Sequence, residues 1–516
     1  MSMDISISRL MNDSGVKFGT SGARGLVADM TDRICFAYAL AFLRYAVSKP
    51  GEPEFHRIAV AGDLRSSSPR IVRAVCRAAE ELELMPIDCG MIPSPAVALY
   101  GLEEKIPAIM ITGSHIPDDR NGIKFNLASG EILKNDEAAL KQTTVTIPEN
   151  LFDDAGMLKT EVYPTTTSSD NGIAKKRYIE RFQRAFPKTP LAGFRIGLYE
   201  HSAVGRDLLY QLYSTLGAKV TRLGRSNHFV SVDTEAVREE DLQSAKAWAL
   251  GNERDTENSP FDAIVSTDGD SDRPLLFDEH GGWIRGDMTG ILTARFLLAD
   301  CVVTPVSSST ALERCGWFKK IVRTKIGSPY VVEAMRHAVD QGFKRVVGYE
   351  GNGGFLTANS MLLDEDDSYA PLTALPTRDP AIVHLASLCF ARRNGVSLSR
   401  LGAVLPRRIV MSDRLQHFPS ELAQRKIEEL TSGGLETTQL VFAAFGELAT
   451  VDWTDGVRMV FGDDIVHVRA SGNAPEFRVY TESDTKERAA SLLYKTMMLV
   501  DSWRRRSQHD AYPYQH

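Results

Sequence analysis

Short apolar runs, each long enough for one strand and each ending in a polar, glycine-bearing loop, alternate with helically spaced stretches along this chain, and that alternation admits few folds. Residues 58–61 end in GDLRSSSP, after which Ile71, Val72, Val75, Ala78, Ala79 and Leu82 recur at helical spacing. Residues 108–111 end in TGSHIPDDRNGIKF, read as a loop after a buried strand. Residues 194–199 lead into a helical stretch at 205–216 and a strand at 219–223, and 263–266 run into TDGDSDR. A further unit joins 301–306, a helix over 329–339 and a strand at 345–348 that ends in YEGNGGF. Strands alternating with helices predict parallel sheets covered on both faces, with ligands beyond the carboxyl ends of the strands. Three unusual loops stand at such ends.

The tail reads differently. Short strands at 440–445, 457–461 and 465–468 precede RASGNAPEFRVY and a closing helix from about Thr485, which predicts a separate α+β domain. A chain of 516 residues exceeds one ordinary hydrophobic core. The expected division is 1–165, 166–290, 291–402 and 403–516, with TTTSSD at 165–170 as the clearest linker. With 43% apolar and 25% charged residues the chain is expected to be folded and soluble. A formal charge of −7 opposes nucleic acid or an anionic membrane as a general partner, so a phosphorylated ligand needs local positive charge. Cys35, Cys76, Cys89, Cys301, Cys315 and Cys389 form no CxxC and predict reduced thiols. MSMDISISRLMNDSG has no basic start followed by an apolar core, and Arg44 interrupts the apolar segment 37–47; a cytoplasmic protein is expected.

TGSHIP puts Ser114 just past a strand and beside Gly113, where backbone amides can approach an anion. On this loop alone, a turn serine and a nucleophile both remain open. GxSxG is absent and His115, as the next residue, is expected to point away from Ser114, which opposes an acyl-transfer triad. Lys124 supplies a cation ten residues on. Asp268, Asp270 and Asp272 alternate directly after a strand, so their carboxylates can converge on one hard cation, for which Mg2+ fits best. A calcium loop starting at Asp268 fails because Arg273 stands where glycine is needed and Pro274 follows. In YEGNGGF, Glu350 with Asn352 and Gly353 suits a polyhydroxylated ligand. Arg469, Ser471, Gly472, Asn473 and Arg478 offer two guanidinium forks and small donors, the inventory for a phosphate.

Taken in order, FGTSGARG (18–25), TGSHIPDDRNGIKF, TDGDSDR, YEGNGGF and RASGNAPEFRVY resemble the α-D-phosphohexomutase superfamily, which includes bacterial phosphomannomutases and phosphoglucomutases. AGDLRSSSP (61–69) and GMIPSP (90–95) look like the first-domain turns of that family, and the likeness runs from about residue 16 to the C-terminal helix. It implies three consecutive α/β domains with mixed, largely parallel sheets plus a C-terminal α+β domain around a central cleft. It implies Ser114 as a phosphoserine and a metal ligand, Arg24, Lys124 and His115 as its catalytic neighbours, and Asp268, Asp270 and Asp272 as Mg2+ ligands. Arg273 would hold the reacting end, Glu350, Asn352 and Gly353 the sugar, and Arg469, Ser471, Gly472, Asn473 and Arg478 the phosphate that does not react.

Two loops depart from the family pattern. Asn352 stands where serine is usual and Gly354 where some members have histidine, while Asn473 and Ala474 replace threonine and glutamate. The activity implied is a phosphohexomutase working through a hexose 1,6-bisphosphate intermediate and activator, with Lys124 as proton carrier if nearby cations lower its pKa. Mannose phosphate ranks first, glucose second and glucosamine third. The rival readings are a phosphosugar phosphatase and a non-catalytic phosphosugar-binding protein. The partner is expected to be a small sugar phosphate, with no nucleic acid or membrane, and the chain a monomer or homodimer.

Overall fold

Strand Arg57–Gly62 is buried at all but its first residue, and a strand buried on both faces needs a neighbour on each edge and helices above and below. In the computed structural model, which describes residues 2–19, 22–251, 260–363, 369–471 and 475–511, it has both. It pairs in parallel with Met85–Met91 and with Ala108–Ile111. Beyond Ala108–Ile111 the sheet turns antiparallel, through Arg120–Leu127, Gly22–Leu26 and Lys17–Phe18. Half of the segment read as a loop after Ser114 is therefore a strand. It sets Lys124 between Met110 and Gly22 in the sheet interior, and a Cβ on Gly22 would lie 1.9 Å from the Ile123 carbonyl oxygen.

The expected linker also carries structure. Ser168–Ser169 pair in parallel with Ile87 and Asp88 as an edge strand. Asp170 then accepts the Gly172 and Ala174 amides, both at 2.8 Å, and so starts helix Ile173–Ala185.

A second sheet runs in the order Lys219–Arg225, Arg195–His201, Ala263–Thr267, Pro274–Phe277, Trp283–Ile284, parallel across its first three strands and antiparallel beyond. Cys301–Pro305 runs parallel to Val346–Tyr349, which pairs antiparallel with Phe355–Thr357. The three unusual loops thus share one topological position. Each closes a hairpin from the carboxyl end of a buried strand into an antiparallel partner: residues 112–119, 268–273 and 350–354. None is a strand-to-helix crossover: each loop runs directly into a strand that pairs antiparallel with the one before it, which makes the sheets mixed.

The chain divides into two compact units, Met1–Val303 with Phe318–Lys320 and Ser328–Gly402, and Thr304–Trp317 with Ile321–Gly327 and Ala403–His516. The second unit holds an antiparallel sheet in the order Ile409–Gln416, Glu476–Ser483, Asp464–Ala470, Val457–Phe461, Thr450–Asp452. Helices Ser420–Val441 and Lys486–Ala511 pack Leu422, Leu430, Leu492 and Val500 onto Met459, Val466 and Phe477 of this sheet. The strand expected at 440–445 is not one. The helix ends at Val441 and a 3-10 turn, Ala443–Phe445, follows. Phe442 and Phe445 are buried with ring centroids 5.5 Å apart while Leu440 is exposed, a three-residue repeat that a strand cannot present to one face. Among the described residues no helix is long and apolar enough to cross a membrane.

Candidate active site

Ser114 is fully buried and left-handed, with φ 56°, a backbone state that costs a non-glycine residue about 1 kcal/mol. The turn GDLRSSSP holds it there. Thr112 Oγ1 accepts the Ser114 N–H at 2.7 Å and donates to Asp63 Oδ2 at 2.8 Å. Arg65 donates to the carbonyls of Ser114 at 3.1 Å, Ile116 at 2.6 Å, Pro117 at 2.8 Å and Arg120 at 3.1 Å. Its fork also meets Asp63 Oδ2 at 3.1 Å, and the Phe229 ring centroid lies 3.8 Å from its guanidinium carbon. The turn is legible in sequence but the roles of Asp63 and Arg65 are not, because an arginine in a serine-rich turn reads as a surface residue.

The Ser114 hydroxyl donates to Asp268 Oδ2 at 2.6 Å. It also lies 3.2 Å from His115 Nδ1, so His115 does not point away as expected. The left-handed backbone at Ser114 turns successive side chains to one side, where extended chain would alternate them. Arg273 Nη1 lies 2.9 Å from the same Nδ1, which fits an Nδ1 acceptor with the proton on Nε2. Burial, and then the Arg273 charge, push the His115 pKa down to about 3.

Asp268, Asp270 and Asp272 are buried and offer oxygens within 4.8 Å of one another. Their loop is braced by its own backbone, with Asp268 Oδ1 accepting the amides of Asp272 and Arg273, both at 3.2 Å. Lys124 Nζ donates to Asp270 Oδ2 at 2.5 Å and Asp272 Oδ2 at 2.6 Å, and Ser94 Oγ also donates to Asp270 Oδ2. Oδ1 of Asp270 and Oδ1 of Asp272 are buried without a hydrogen-bond partner. Arg273 Nε lies 3.7 Å from Asp272 Oδ1, too far for a hydrogen bond, and buried carboxylate oxygens without hydrogen bonds are costly unless a cation takes them, so the donor set, all oxygen, fits a hard divalent ion. Burial and the charges of Asp270 and Asp272 hold the Asp268 pKa well above the carboxylate range. Burial pulls the Lys124 ammonium toward neutrality, but Asp270 and Asp272 outweigh it and its pKa stands above the ordinary lysine value. The expected lowering by cations is therefore not met, since the two carboxylates are its nearest charges. Burial followed by Arg273 lowers Arg24 to about 10.

The sugar loop reaches this cluster through a residue that no sequence motif marks, Arg378. It is buried, with Nε 3.0 Å and Nη2 2.9 Å from Asp272 Oδ2 and Nη1 3.1 Å from Glu350 Oε2. In the loop the Gly353 amide donates to the Glu350 carbonyl at 2.9 Å, and Gly353 has φ 86°. The Asn352 carbonyl accepts from Thr234 Oγ1 at 2.7 Å, and its Oδ1 accepts the Gly354 amide at 2.9 Å, so that oxygen shapes the loop.

In the second unit Arg478 stands directly opposite both Arg469 and Arg414 in register, so the three share one face of the sheet. Glu476 lies 3.3 Å from Arg478 and 3.4 Å from Arg414, and Asp455 lies 3.6 Å from Arg469. The Ser471 amide donates to the Glu476 carbonyl at 3.0 Å. Gly472 and Asn473 lie outside the described residues.

Three stretches of the chain match the family models for phosphoglucomutase/phosphomannomutase: alpha/beta/alpha domain I over residues 15–150, alpha/beta/alpha domain III over 285–408 and the C-terminal domain over 422–496. The chain is 39% identical to a phosphomannomutase of Salmonella muenchen over 494 residues, covering 96% of this chain and 97% of that one. It is also 39% identical to a phosphomannomutase of Sinorhizobium fredii over 490 residues, covering 95% and 99%. The crystal structure of a putative phosphomannomutase from Thermus thermophilus superposes with a TM-score of 0.70 at 19% identity, over 94% of this chain and 99% of that one.

Proposed function

Because the chain belongs to the phosphoglucomutase/phosphomannomutase family, we propose that it interconverts mannose 6-phosphate and mannose 1-phosphate, with Ser114 as phosphoryl carrier and a mannose 1,6-bisphosphate as intermediate and activator. The observation that carries this reading is the Ser114 hydroxyl, buried and 2.6 Å from Asp268 Oδ2, in a cluster of three carboxylates and the Lys124 cation. A water-filled site would favour hydrolysis; a buried one favours transfer between hydroxyls.

Asp268, Asp270 and Asp272, with an oxygen on Ser114, would hold Mg2+, which when bound supplies positive charge for the phosphoryl oxygens. The chain's own residues do the rest. Phosphoserine 114 gives its phosphoryl group to the free sugar hydroxyl: the new phosphorus–oxygen bond forms as the bond to Ser114 Oγ breaks, and Oγ regains a proton. The Lys124 ammonium is the proposed source of that proton, and the amine it becomes takes the proton that the sugar hydroxyl loses. When the bisphosphate, turned end for end, returns its other phosphoryl group, the step runs in reverse: the sugar oxygen leaving phosphorus takes a proton from Lys124, and the Ser114 hydroxyl proton, for which Asp268 Oδ2 is the acceptor already in place, restores the ammonium. His115 holds Arg273 over the reacting end, and Arg24 adds a second guanidinium there. Glu350 takes sugar hydroxyls through the oxygen that Arg378 leaves free, with Asn352 and Gly353 setting the loop. Arg469, Ser471, Gly472, Asn473 and Arg478 form a phosphate site, and the division 1–165, 166–290, 291–402 and 403–516 is the proposed domain plan.

Protein primed with mannose 1,6-bisphosphate should gain one phosphate at Ser114, read by mass spectrometry, and Ser114→Ala should lose isomerisation of mannose 1-phosphate. A phosphate mapped to another residue, or release of inorganic phosphate in place of isomerisation, rejects the reading. The same assay on glucose 1-phosphate ranks the sugars.

A further inference from the structure

We propose that Arg378 is a positioning residue that sets the aspartate loop and the sugar loop together, so that one guanidinium governs both metal and sugar binding; this rests on the function proposed above. Arg378 is 4% exposed, and its fork is divided between two loops nearly eighty residues apart in sequence. Nε and Nη2 lie 3.0 and 2.9 Å from Asp272 Oδ2, and Nη1 lies 3.1 Å from Glu350 Oε2.

The consequence for Asp272 is directional. Oδ2 is occupied by Arg378 and Lys124, which turns the other oxygen, Oδ1, away from these two cations; Oδ1 makes no hydrogen bond, and Arg273 Nε lies 3.7 Å from it as an ion pair. An outer group that occupies one oxygen of a ligating carboxylate fixes where the other points, and loss of such a group typically weakens metal binding ten- to hundredfold. Glu350 is treated in the same way, with Oε2 occupied by Nη1.

The fork requires open space at residue 354. A Cβ on Gly354 would lie 2.4 Å from Arg378 Cδ and 2.6 Å from its Cγ, so any side chain there displaces the stem of the arginine. No lysine reproduces the arrangement, because a single ammonium cannot present a planar pair of donors to one carboxylate and a third donor to another.

The test uses the full chain with Mn2+ as a spectroscopic stand-in and mannose 1-phosphate as ligand, each dissociation constant being measured by titration calorimetry. Arg378→Gln should weaken Mn2+ and mannose 1-phosphate together, each about tenfold or more. Arg378→Lys should restore at most one of the two. Gly354→Ala, which keeps the arginine but moves it, should weaken both, and circular dichroism checks that each variant is folded. Wild-type affinities for both ligands in folded Arg378→Gln, or weakening of one alone in both Arg378→Gln and Gly354→Ala, overturn the proposal. If Arg378→Gln does not fold, Gly354→Ala decides alone. Wild-type protein that binds no Mn2+ rejects instead the function on which the proposal stands.

Discussion

At the scale of residues, the site is organised by half-occupied carboxylates. Asp270 accepts from Lys124 and Ser94 on one oxygen and Asp272 from Lys124 and Arg378 on one, leaving an oxygen of each without a hydrogen bond. Asp270→Asn should therefore abolish turnover, by at least about a hundredfold, without unfolding the protein, since removing one of three close negative charges relieves their repulsion. The melting temperature should stay level or rise, and mutase assays over a range of Mg2+ check the first half. Activity undiminished in excess chelator would remove the metal from the reaction. The sequence displayed the three aspartates openly, because like charges crowded in one loop are unusual in themselves, whereas Ser114 and Lys124 gained a role only from the order of the loops taken together. Arg65 and Arg378 were not legible, since an arginine whose partners are all distant in the chain looks in sequence like any solvated arginine.

At the scale of elements, strand Arg195–His201 is tied to Ala263–Thr267 by His201, whose Nε2 lies 2.8 Å from the Thr267 carbonyl. Burial pushes the His201 pKa down to about 4, with that backbone bond opposing. The unfolded chain then binds a proton that the native chain refuses between about pH 6.5 and about pH 4. His201 thus contributes stability that is complete above the unfolded value and is lost as pH falls through that window. Thermal melts should drop across it, and His201→Asn should flatten the slope; an unchanged slope would assign it to other groups. In the second unit, Arg414, Arg478 and Arg469 stand side by side across three strands, an arrangement that repels unless anions intervene. A charge-assisted hydrogen bond is worth about 1.5 to 3 kcal/mol, so Arg478→Ala should lower kcat/KM by roughly one to two orders of magnitude in both directions. Steady-state kinetics with and without added bisphosphate should also show a new need for activator. Unchanged KM and no such need would make the turn a solvated hairpin.

At the scale of the whole molecule, two units with separate cores are expected to unfold as separate cooperative steps. Ser114 and the three aspartates belong to the first unit, so Mg2+ should raise the transition of that unit and leave the other in place. Scanning calorimetry with and without Mg2+ checks this, with Asp270→Asn as the control that should lose the shift. A single transition moving as one would contradict it.

What the sequence by itself determined was the α/β character, most strand and helix positions, and the order of the chemical loops, because periodicity, turn residues and clustered charge are local properties. The tertiary structure alone decided that the three loops of the first unit are hairpin ends, that Lys124 lies mid-strand among carboxylates, and that residues 440–445 end a helix. It also decided that Arg378 joins Asp272 to Glu350. Each of these depends on which surface a side chain meets after pairing and packing, and contacts between residues far apart in the chain leave no mark on their immediate neighbours in sequence.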